Sequence, residues 1–351
     1  MTDNKVALVF GASGIIGRGF LRHLDGLNDW DITSVMRNPP NFDTRAEHLP
    51  VDLTERDASL SGLKDVPQVT HVFYTAYKDY PTWEAAAEPN TEMFKNAMDG
   101  LLQNAPNLEH VQILQGAKYY GRHLGPYKTP SKEEDPRHMP PSLYFGQEDY
   151  LHELQVGQSW SWSAIRPQAV CGFSIGNPLN LTSVVAVYAA ISKELGLPLR
   201  WPGKPEAFRT IYQVTDYDIL GKSMIWAATT PACANESFNV TNGDVFRWEH
   251  MWDRIAEYFD MEVGPPQQIN LSQMMADKES LWNDIVQKHG LAPTPFDKAA
   301  NWAFGDYAFG SDWDVCMDTT KCRRAGFLDF IDTEEMFTNQ FDELRKAKII
   351  P

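Results

Sequence analysis

Residues 6–17 of the chain, VALVFGASGIIG, run from an apolar segment directly into three evenly spaced glycines. An apolar run that ends in glycines is typical of a buried parallel strand turning sharply into a helix. In such a turn Gly11 permits the tight reversal, Gly14 lets the backbone approach a pyrophosphate, and Gly17 lets the helix pack on the strand. The free N–H groups at the helix start would face phosphate oxygens. The junction therefore predicts a dinucleotide-binding turn.

Strand-like and helix-like patterns alternate from this junction to about residue 173. This alternation predicts an α/β fold with a doubly wound parallel sheet, a Rossmann fold. Later strands are expected at residues 31–36, 48–51, 71–76, 111–115, 163–167 and 236–240. We assign residues 1–175 to the nucleotide-binding domain, with roughly 205–245 returning to it. A smaller, mainly helical C-terminal lobe, residues 176–204 and 246–351, would cover the carboxyl edge of the sheet, where ligands of such sheets bind.

The end of the second predicted strand indicates the choice of cofactor. An NAD site needs an acidic residue there to accept from the ribose 2′-hydroxyl, but this strand offers Ser34 and Arg37. A guanidinium pairs with a 2′-phosphate through charge-assisted hydrogen bonds, so we predict NADPH/NADP+. Asp52 and Leu53 would lie beside the adenine. Further predicted cofactor-binding residues lie in the glycine turn and near the strand ends: Ser13, Ile15, Ile16, Thr75, Ala76, Tyr77, Gln115, Gly116, Pro167, Val170 and Ser174.

Composition argues against several classes of function. The formal net charge of −16 would repel nucleic acid. The four cysteines form no CxxC motif and do not cluster with histidine, so we expect reduced thiols and no metal site. No signal peptide and no apolar stretch long enough for a membrane span is evident, from which we expect a cytoplasmic protein. A homodimer is compatible with the sequence.

The usual tyrosine and lysine pair of short-chain dehydrogenases is missing. The glycine spacing GxxGxxG resembles that of the extended members of this superfamily, most of which carry YxxxK on one helix. Here residues 144–148 read YFGQE, with a glutamate in the lysine position. Lys118, which follows the fifth predicted strand, is the candidate to replace that lysine near the nicotinamide and near a tyrosine at the start of the next helix.

Two further segments carry a more specific resemblance. Residues 115–120, QGAKYY, and 143–151, LYFGQEDYL, are similar to the TGxKHY and FYYxQEDxL motifs of the progesterone 5β-reductase/iridoid synthase-like family, and similar blocks continue to the last residues. The resemblance implies NADPH-dependent 1,4-reduction of the C=C bond of an enone or enal. By position it assigns Tyr144 and Lys118 as catalytic and cofactor-binding residues, with Tyr144 at the carbonyl oxygen. Tyr127 and Trp302 or Phe304 would line the substrate.

The chain departs from these motifs at several positions. Phe145 replaces a tyrosine, Tyr119 replaces a histidine, and Arg122 and His123 are two extra residues. We expect His123 to lie at the surface. Core packing is the alternative role for the lobe aromatics, and the polar stretch 125–141 is predicted to be a surface loop that either frames a substrate mouth or is simply solvated. Two other functions stay open: carbonyl reduction or alcohol oxidation by the same pair, and a non-catalytic NADP-binding sensor.

Overall fold

The computed structural model describes residues 5–174, 176 and 179–351, so the predicted domain boundary at residue 175 lies outside the described residues. The first half of the chain contains β1 (Lys5–Phe10), α1 (Ile15–Asp25), β2 (Trp30–Met36), β3 (Glu47–Pro50), α2 (Arg56–Leu63), β4 (His71–Tyr74), α3 (Trp83–Leu101), β5 (His110–Leu114), α4 (Leu143–Gln155), β6 (Ser161–Pro167) and β7 (Val170–Cys171). Two short 3-10 helices, Ala117–Tyr120 and Arg122–Leu124, lie between β5 and α4.

The second half is mainly helical. It contains α5 (Leu181–Glu194), β8 (Leu199–Arg200), β9 (Ile211–Tyr212), β10 (Thr215–Asp216), α6 (Tyr217–Thr229), β11 (Glu236–Val240), β12 (Phe246–Arg247), α7 (Trp248–Tyr258), β13 (Val263–Gly264), α8 (Leu271–Met274), α9 (Glu279–His289), α10 (Phe296–Ala299), α11 (Trp302–Phe309), α12 (Thr320–Arg324) and α13 (Thr333–Lys346). Asp216 is the N-cap of α6, and its carboxylate accepts the N–H of Asp218 at 2.7 Å.

Seven parallel strands form one sheet in the order β11-β6-β5-β4-β1-β2-β3. The order reverses between β1 and β4, as in a doubly wound nucleotide-binding fold. The predicted α/β fold class is therefore confirmed. The late strand β11 pairs with β6 along its whole length, from Glu236 opposite Ser163 to Val240 opposite Pro167.

Helices cover both faces of the sheet. On one face α1 and α6 enclose a core in which the rings of Phe20 and Phe73 lie 4.5 Å apart. On the other face α2, α3 and α4 enclose a second core, where Tyr74 packs edge-on against Phe94 at 4.8 Å. Because both faces are covered, the central strand β1 is apolar from Val6 to Phe10.

The C-terminal lobe has its own core around α5, whose residues are buried on nearly every side. Trp201 lies at its centre and packs against Trp248, Trp252 and Phe309, with ring centroids 4.8–5.4 Å apart. Across the residues that the structure describes, no helix is long and apolar enough to cross a membrane and no group of side chains has the make-up of a metal site. The four cysteines are free thiols.

Candidate active site

The glycine turn leaves an accessible helix N-terminus at the carboxyl edge of the sheet. Gly11 has a φ of +76°, and a methyl group there would lie 2.5 Å from the backbone of Ala76. A methyl group at Gly17 would lie 2.4 Å from the Gly11 carbonyl oxygen, so this glycine permits α1 to pack on the turn. At Gly14, the N-cap of α1, a methyl group would have only the Gly11 oxygen nearby, at 3.5 Å, and no side chain caps the helix. The turn therefore fits a diphosphate bound to free N–H groups.

The end of β2 presents an unpaired cation. Arg37 is exposed, and no carboxylate within the described ranges forms an ion pair with it. Asp52 accepts two hydrogen bonds from Thr54, which together with the nearby Arg37 hold the pKa of the Asp52 carboxyl below its usual value. Ser34 is fully buried, and its hydroxyl donates to the Glu47 carbonyl at 3.2 Å inside the sheet. The guanidinium of Arg37, rather than the Ser34 hydroxyl, is thus free for a ligand here.

The other predicted cofactor residues differ in how they are placed. The Thr75 hydroxyl donates to the Phe10 carbonyl at 2.6 Å and secures the segment that follows β4. Leu53 is buried in the core beneath α2 and α3, whereas Tyr77 is 38% exposed. Ser13 is exposed and lies just before α1, whose first two residues are buried Ile15 and half-buried Ile16. Pro167 ends β6, and half-buried Val170 lies in β7. Ser174 is buried, and its carbonyl oxygen accepts a hydrogen bond from Asn180.

Tyr144 occupies the first turn of α4, with its hydroxyl against Gly116. A methyl group at Gly116 would lie 3.3 Å from the Tyr144 hydroxyl and 3.3 Å from the Pro167 carbonyl oxygen. Burial raises the pKa of Tyr144, as do Tyr77 and Tyr307 nearby, so the phenol stays protonated at neutral pH. No side chain or backbone group in the described ranges hydrogen-bonds this hydroxyl, which leaves it free to donate to a ligand.

Lys118 and Tyr144 both contact the ring of Trp83. Its ammonium is 4.2 Å from the ring centroid of Trp83, and Trp83 packs edge-on against Tyr144 at 5.1 Å. Burial, and secondarily Arg122, lowers the pKa of Lys118 to about 8. Trp83 begins α3, far from either motif in the sequence, so no local signal pointed to it. The structure thus brings both predicted catalytic residues into contact with one tryptophan, Trp83, which the sequence analysis missed.

A mostly buried group of side chains, here called the paired cluster, fixes α4 beneath Tyr144, and Arg137 is its exposed member. The cluster comprises Gln115, Tyr119, Arg137, Glu148 and Arg166. The Glu148 carboxylate pairs with Arg166 at 3.1 Å and Arg137 at 2.5 Å, and these guanidinium groups hold its pKa below the usual value although burial opposes this. Tyr119 donates to the same carboxylate at 3.1 Å. The Gln115 amide donates to the Tyr144 carbonyl at 3.3 Å and accepts from Arg166 at 2.7 Å.

A second group, here called the unpaired cluster, faces the lobe. It comprises Lys118, Arg122, Tyr127, Tyr144 and Tyr307. The Tyr307 ring lies 5.7 Å from the Lys118 ammonium and 4.7 Å from the Arg122 guanidinium. No acidic side chain among the described residues forms an ion pair with either cation. The sequence analysis missed Tyr307 and gave Arg122 no role, because neither belongs to a recognisable local motif.

The lobe aromatics that we predicted as substrate-lining face mostly the lobe core. Trp302 packs on Phe296 at 5.8 Å, and Phe304 stacks on Tyr307 at 6.2 Å. Both side chains are half-buried against the core of the lobe. In α11, Tyr307 is therefore the residue that faces Lys118.

One expectation about the connection between β5 and α4 is wrong, and a second left two roles open. His123 is not a surface residue, because its ring packs on Trp83 at 5.4 Å and burial, followed by Lys118, lowers its pKa to about 4. The stretch 125–141 is more than a solvated loop. Its Glu133 carboxylate accepts the Asn239 N–H at 2.7 Å, and its Ser131 bridges to Met317. Contacts with distant strands hold this stretch against the site.

Known proteins are similar to this chain in sequence and in fold. A family model described as a PRISE-like Rossmann-fold domain matches residues 52–351. The chain is 33% identical to an (S)-8-oxocitronellyl enol synthase of Antirrhinum majus, covering 100% of this chain and 94% of the relative. It is 31% identical to a 3-oxo-Delta(4,5)-steroid 5-beta-reductase of Arabidopsis thaliana, covering 99% and 93%. A UDP-glucose 4-epimerase of Thermus thermophilus, solved with NAD, shares the fold with a TM-score of 0.65 at 16% identity, covering 97% of this chain and 99% of the epimerase.

Proposed function

Because the chain belongs to the PRISE-like Rossmann-fold family, we propose that it is a reductase of activated C=C bonds in enones or enals. It is an oxidoreductase with an extended short-chain dehydrogenase fold. A nicotinamide cofactor is its redox partner, and we propose NADPH as the preferred form. The substrate is a small molecule: a steroid, a terpenoid or a smaller metabolite.

The observation that carries this proposal is the free, protonated hydroxyl of Tyr144 at the carboxyl edge of the sheet. A carbonyl oxygen placed there accepts a hydrogen bond from a donor that the paired cluster already holds in position. A nicotinamide bound at this edge supplies a hydride to the β-carbon. Negative charge then develops on the carbonyl oxygen, where a preorganised donor is most effective.

Lys118 supports this arrangement through its charge. Its ammonium has no hydrogen-bond partner within the described ranges, and it lies over the Trp83 ring, which also packs against Tyr144. A positive charge in this partly desolvated place stabilises an enolate more than it would in water. Tyr144 needs only to donate a hydrogen bond, because the final proton goes to the α-carbon of the enolate and not to its oxygen.

The preference for NADPH rests on Arg37. Its exposed guanidinium stands at the end of β2, where the ribose of a bound dinucleotide lies in this fold. Asp52 nearby is occupied by Thr54, so it does not neutralise Arg37 by a direct ion pair. A 2′-phosphate provides the missing anion.

Isotope labelling tests the proposed reaction directly. We expect incubation of 2-cyclohexen-1-one with NADPH deuterated at the transferred position to give cyclohexanone labelled at the β-carbon. Carbonyl reduction would instead give 2-cyclohexen-1-ol labelled at the carbinol carbon. That product, or consumption of NADPH with cyclohexanone but not with the enone, would replace this proposal by the carbonyl reductase alternative. Progesterone and 8-oxogeranial, run in parallel, would show which size of substrate fits.

A further inference from the structure

Arg122 is a buried cation for which the protein supplies no counter-ion among the residues that the structure describes. It is 4% exposed and opens the short 3-10 helix Arg122–Leu124, four residues after Lys118. Its terminal Nη2 donates to the Tyr212 hydroxyl at 2.8 Å and to the Ser311 hydroxyl at 3.4 Å. Both partners are neutral. A buried charge is costly unless an opposite charge accompanies it, so this environment is incomplete.

Three donors in this neighbourhood have no partner in the described part of the chain. The Nε of Arg122 is buried without a hydrogen bond, and so are the hydroxyls of Tyr127 and Tyr307. Burial raises the pKa of Tyr127, although Arg122 opposes the shift, so this phenol also stays protonated. Unsatisfied buried donors each cost free energy, and three around one guanidinium form a set that an anionic oxygen acceptor would satisfy.

We propose that Arg122, with the hydroxyls of Tyr127 and Tyr307, binds a carboxylate carried by the substrate. This inference rests on the proposed function, because it concerns the same substrate at its other end. The Tyr307 ring lies between the two cations, 5.7 Å from Lys118 and 4.7 Å from Arg122. Guanidinium groups match carboxylates in geometry as well as in charge.

The location also explains a departure from the family motifs. Arg122 and His123 are the two residues that this chain has in addition after the QGAKYY segment. His123 packs on Trp83 beside Lys118, whereas Arg122 turns toward the lobe tyrosines. The insertion thus adds a charge to the substrate side of the site without altering Tyr144 or Lys118.

Matched substrates test the carboxylate subsite. We would measure kcat/KM for 2-cyclohexen-1-ones that carry an ω-carboxyalkyl chain of one to five methylenes, and for the corresponding primary amides. At the best chain length we expect the acid to be preferred over the amide about 10- to 100-fold. Arg122→Gln should abolish this preference, and the exposed Arg324→Gln should retain it as a control for removing one positive charge. No preference at any chain length, or a preference that survives Arg122→Gln, would overturn the inference.

A second pair of variants keeps the test decisive if Arg122→Gln does not fold. Tyr127→Phe and Tyr307→Phe each remove a hydroxyl that makes no hydrogen bond to the described residues, so both should fold. Each should lower the acid preference about 3- to 10-fold. An unchanged preference in both variants would remove the tyrosines from the subsite and contradict the proposal as stated.

Calorimetry separates this inference from the proposed reaction. The saturated ω-carboxyalkyl cyclohexanones should bind the NADP+-loaded protein more tightly than their amides, with the same dependence on Arg122. If no enone is reduced but the acids still bind in this manner, the subsite stands and the reaction is wrong. If enones are reduced while acids and amides bind equally, the reaction stands and the subsite is wrong.

Discussion

The paired and unpaired clusters lie on either side of the same short 3-10 helix, Ala117–Tyr120, but they differ in whether their cations have a counter-ion among the described residues. In the paired cluster, Arg166 is 2% exposed and meets the Glu148 carboxylate, the Gln115 amide and two tyrosines. In the unpaired cluster, no carboxylate of the described residues forms an ion pair with Lys118 or Arg122, and their close partners include neutral rings and hydroxyls. A satisfied network fixes geometry, whereas an unsatisfied one is available to a ligand. The contrast separates the residues that position Tyr144 from those that would contact substrate.

The largest effect should follow from breaking the paired cluster. Glu148→Gln leaves Arg166 buried without its carboxylate, so we expect a loss of about 3–5 kcal/mol in the free energy of unfolding, measured by urea titration. The matched control is Asp149→Asn, whose carboxylate is 62% exposed and pairs only with Arg137 at 2.7 Å. That substitution should cost about 0–1 kcal/mol. Similar losses in the two variants would show that the Glu148 network does not hold α4.

The next largest effect should be on the catalytic rate, with no change in stability. Tyr144→Phe removes a hydroxyl that has no partner in the described structure, so stability and NADPH affinity should hold while kcat falls ~10²–10³-fold. Tyr150→Phe is the matched control, because Tyr150 lies on the same helix and its hydroxyl bonds Asp99 on the other side. Single-turnover NADPH oxidation with an enone measures both. A rate near that of the wild type in Tyr144→Phe would move the search for the donor to Tyr77 and Tyr307.

Arg37 extends the comparison to an exposed unpaired cation. Arg37→Ala should weaken NADPH binding by ~1.5–3 kcal/mol and leave NADH binding nearly unchanged, as judged by quenching of tryptophan fluorescence. Arg209→Ala, which removes a 78% exposed guanidinium elsewhere, controls for net charge. Equal losses for the two cofactors would contradict the NADPH assignment.

The smallest effect should be that of Lys118. Its ammonium rests on Trp83 and does not bond Tyr144 directly, so Lys118→Met should lower kcat/KM by ~3- to 10-fold, on the order of 1 kcal/mol. With a pKa of about 8, the wild type should lose this advantage as pH rises through 8, and the variant should lack that inflection. A loss as large as that of Tyr144→Phe would mean that Lys118 contacts the nicotinamide ribose or the substrate directly.

The same lysine makes a prediction about stability, with a definite sign. Because its folded-state pKa lies below the usual value of about 10.4, the unfolded chain binds more protons between pH 8 and 10.4. Unfolding free energy should therefore rise with pH in that window for the wild type relative to Lys118→Met. Denaturant titrations at pH 7.5 and 9.5 would check this, and a difference that falls with pH would contradict it.

The sheet was predictable because its signals are local. The glycine turn and the apolar strands each lie within a few consecutive residues, and even β11 is recognisable from residues 236–240. Tyr144 and Lys118 were proposed as site residues because each lies in a motif. Trp83, Arg122 and Tyr307 were not, since α3, the 3-10 helix and α11 meet only in the folded chain. His123 was misplaced for the same reason: a histidine in a polar segment gives no sign that a distant tryptophan covers it.

The late arrival of β11 has a consequence for how the chain is made. On a ribosome, β6 emerges with Pro167, and its edge partner appears only after α5, β10 and α6 have been synthesised. Until then β6 is an open edge, a ready template for pairing with another chain. The nucleotide-binding half thus cannot be finished before part of the lobe exists. A nascent chain stalled near residue 200 should consequently depend on chaperones, whereas one released after residue 240 should have closed its sheet.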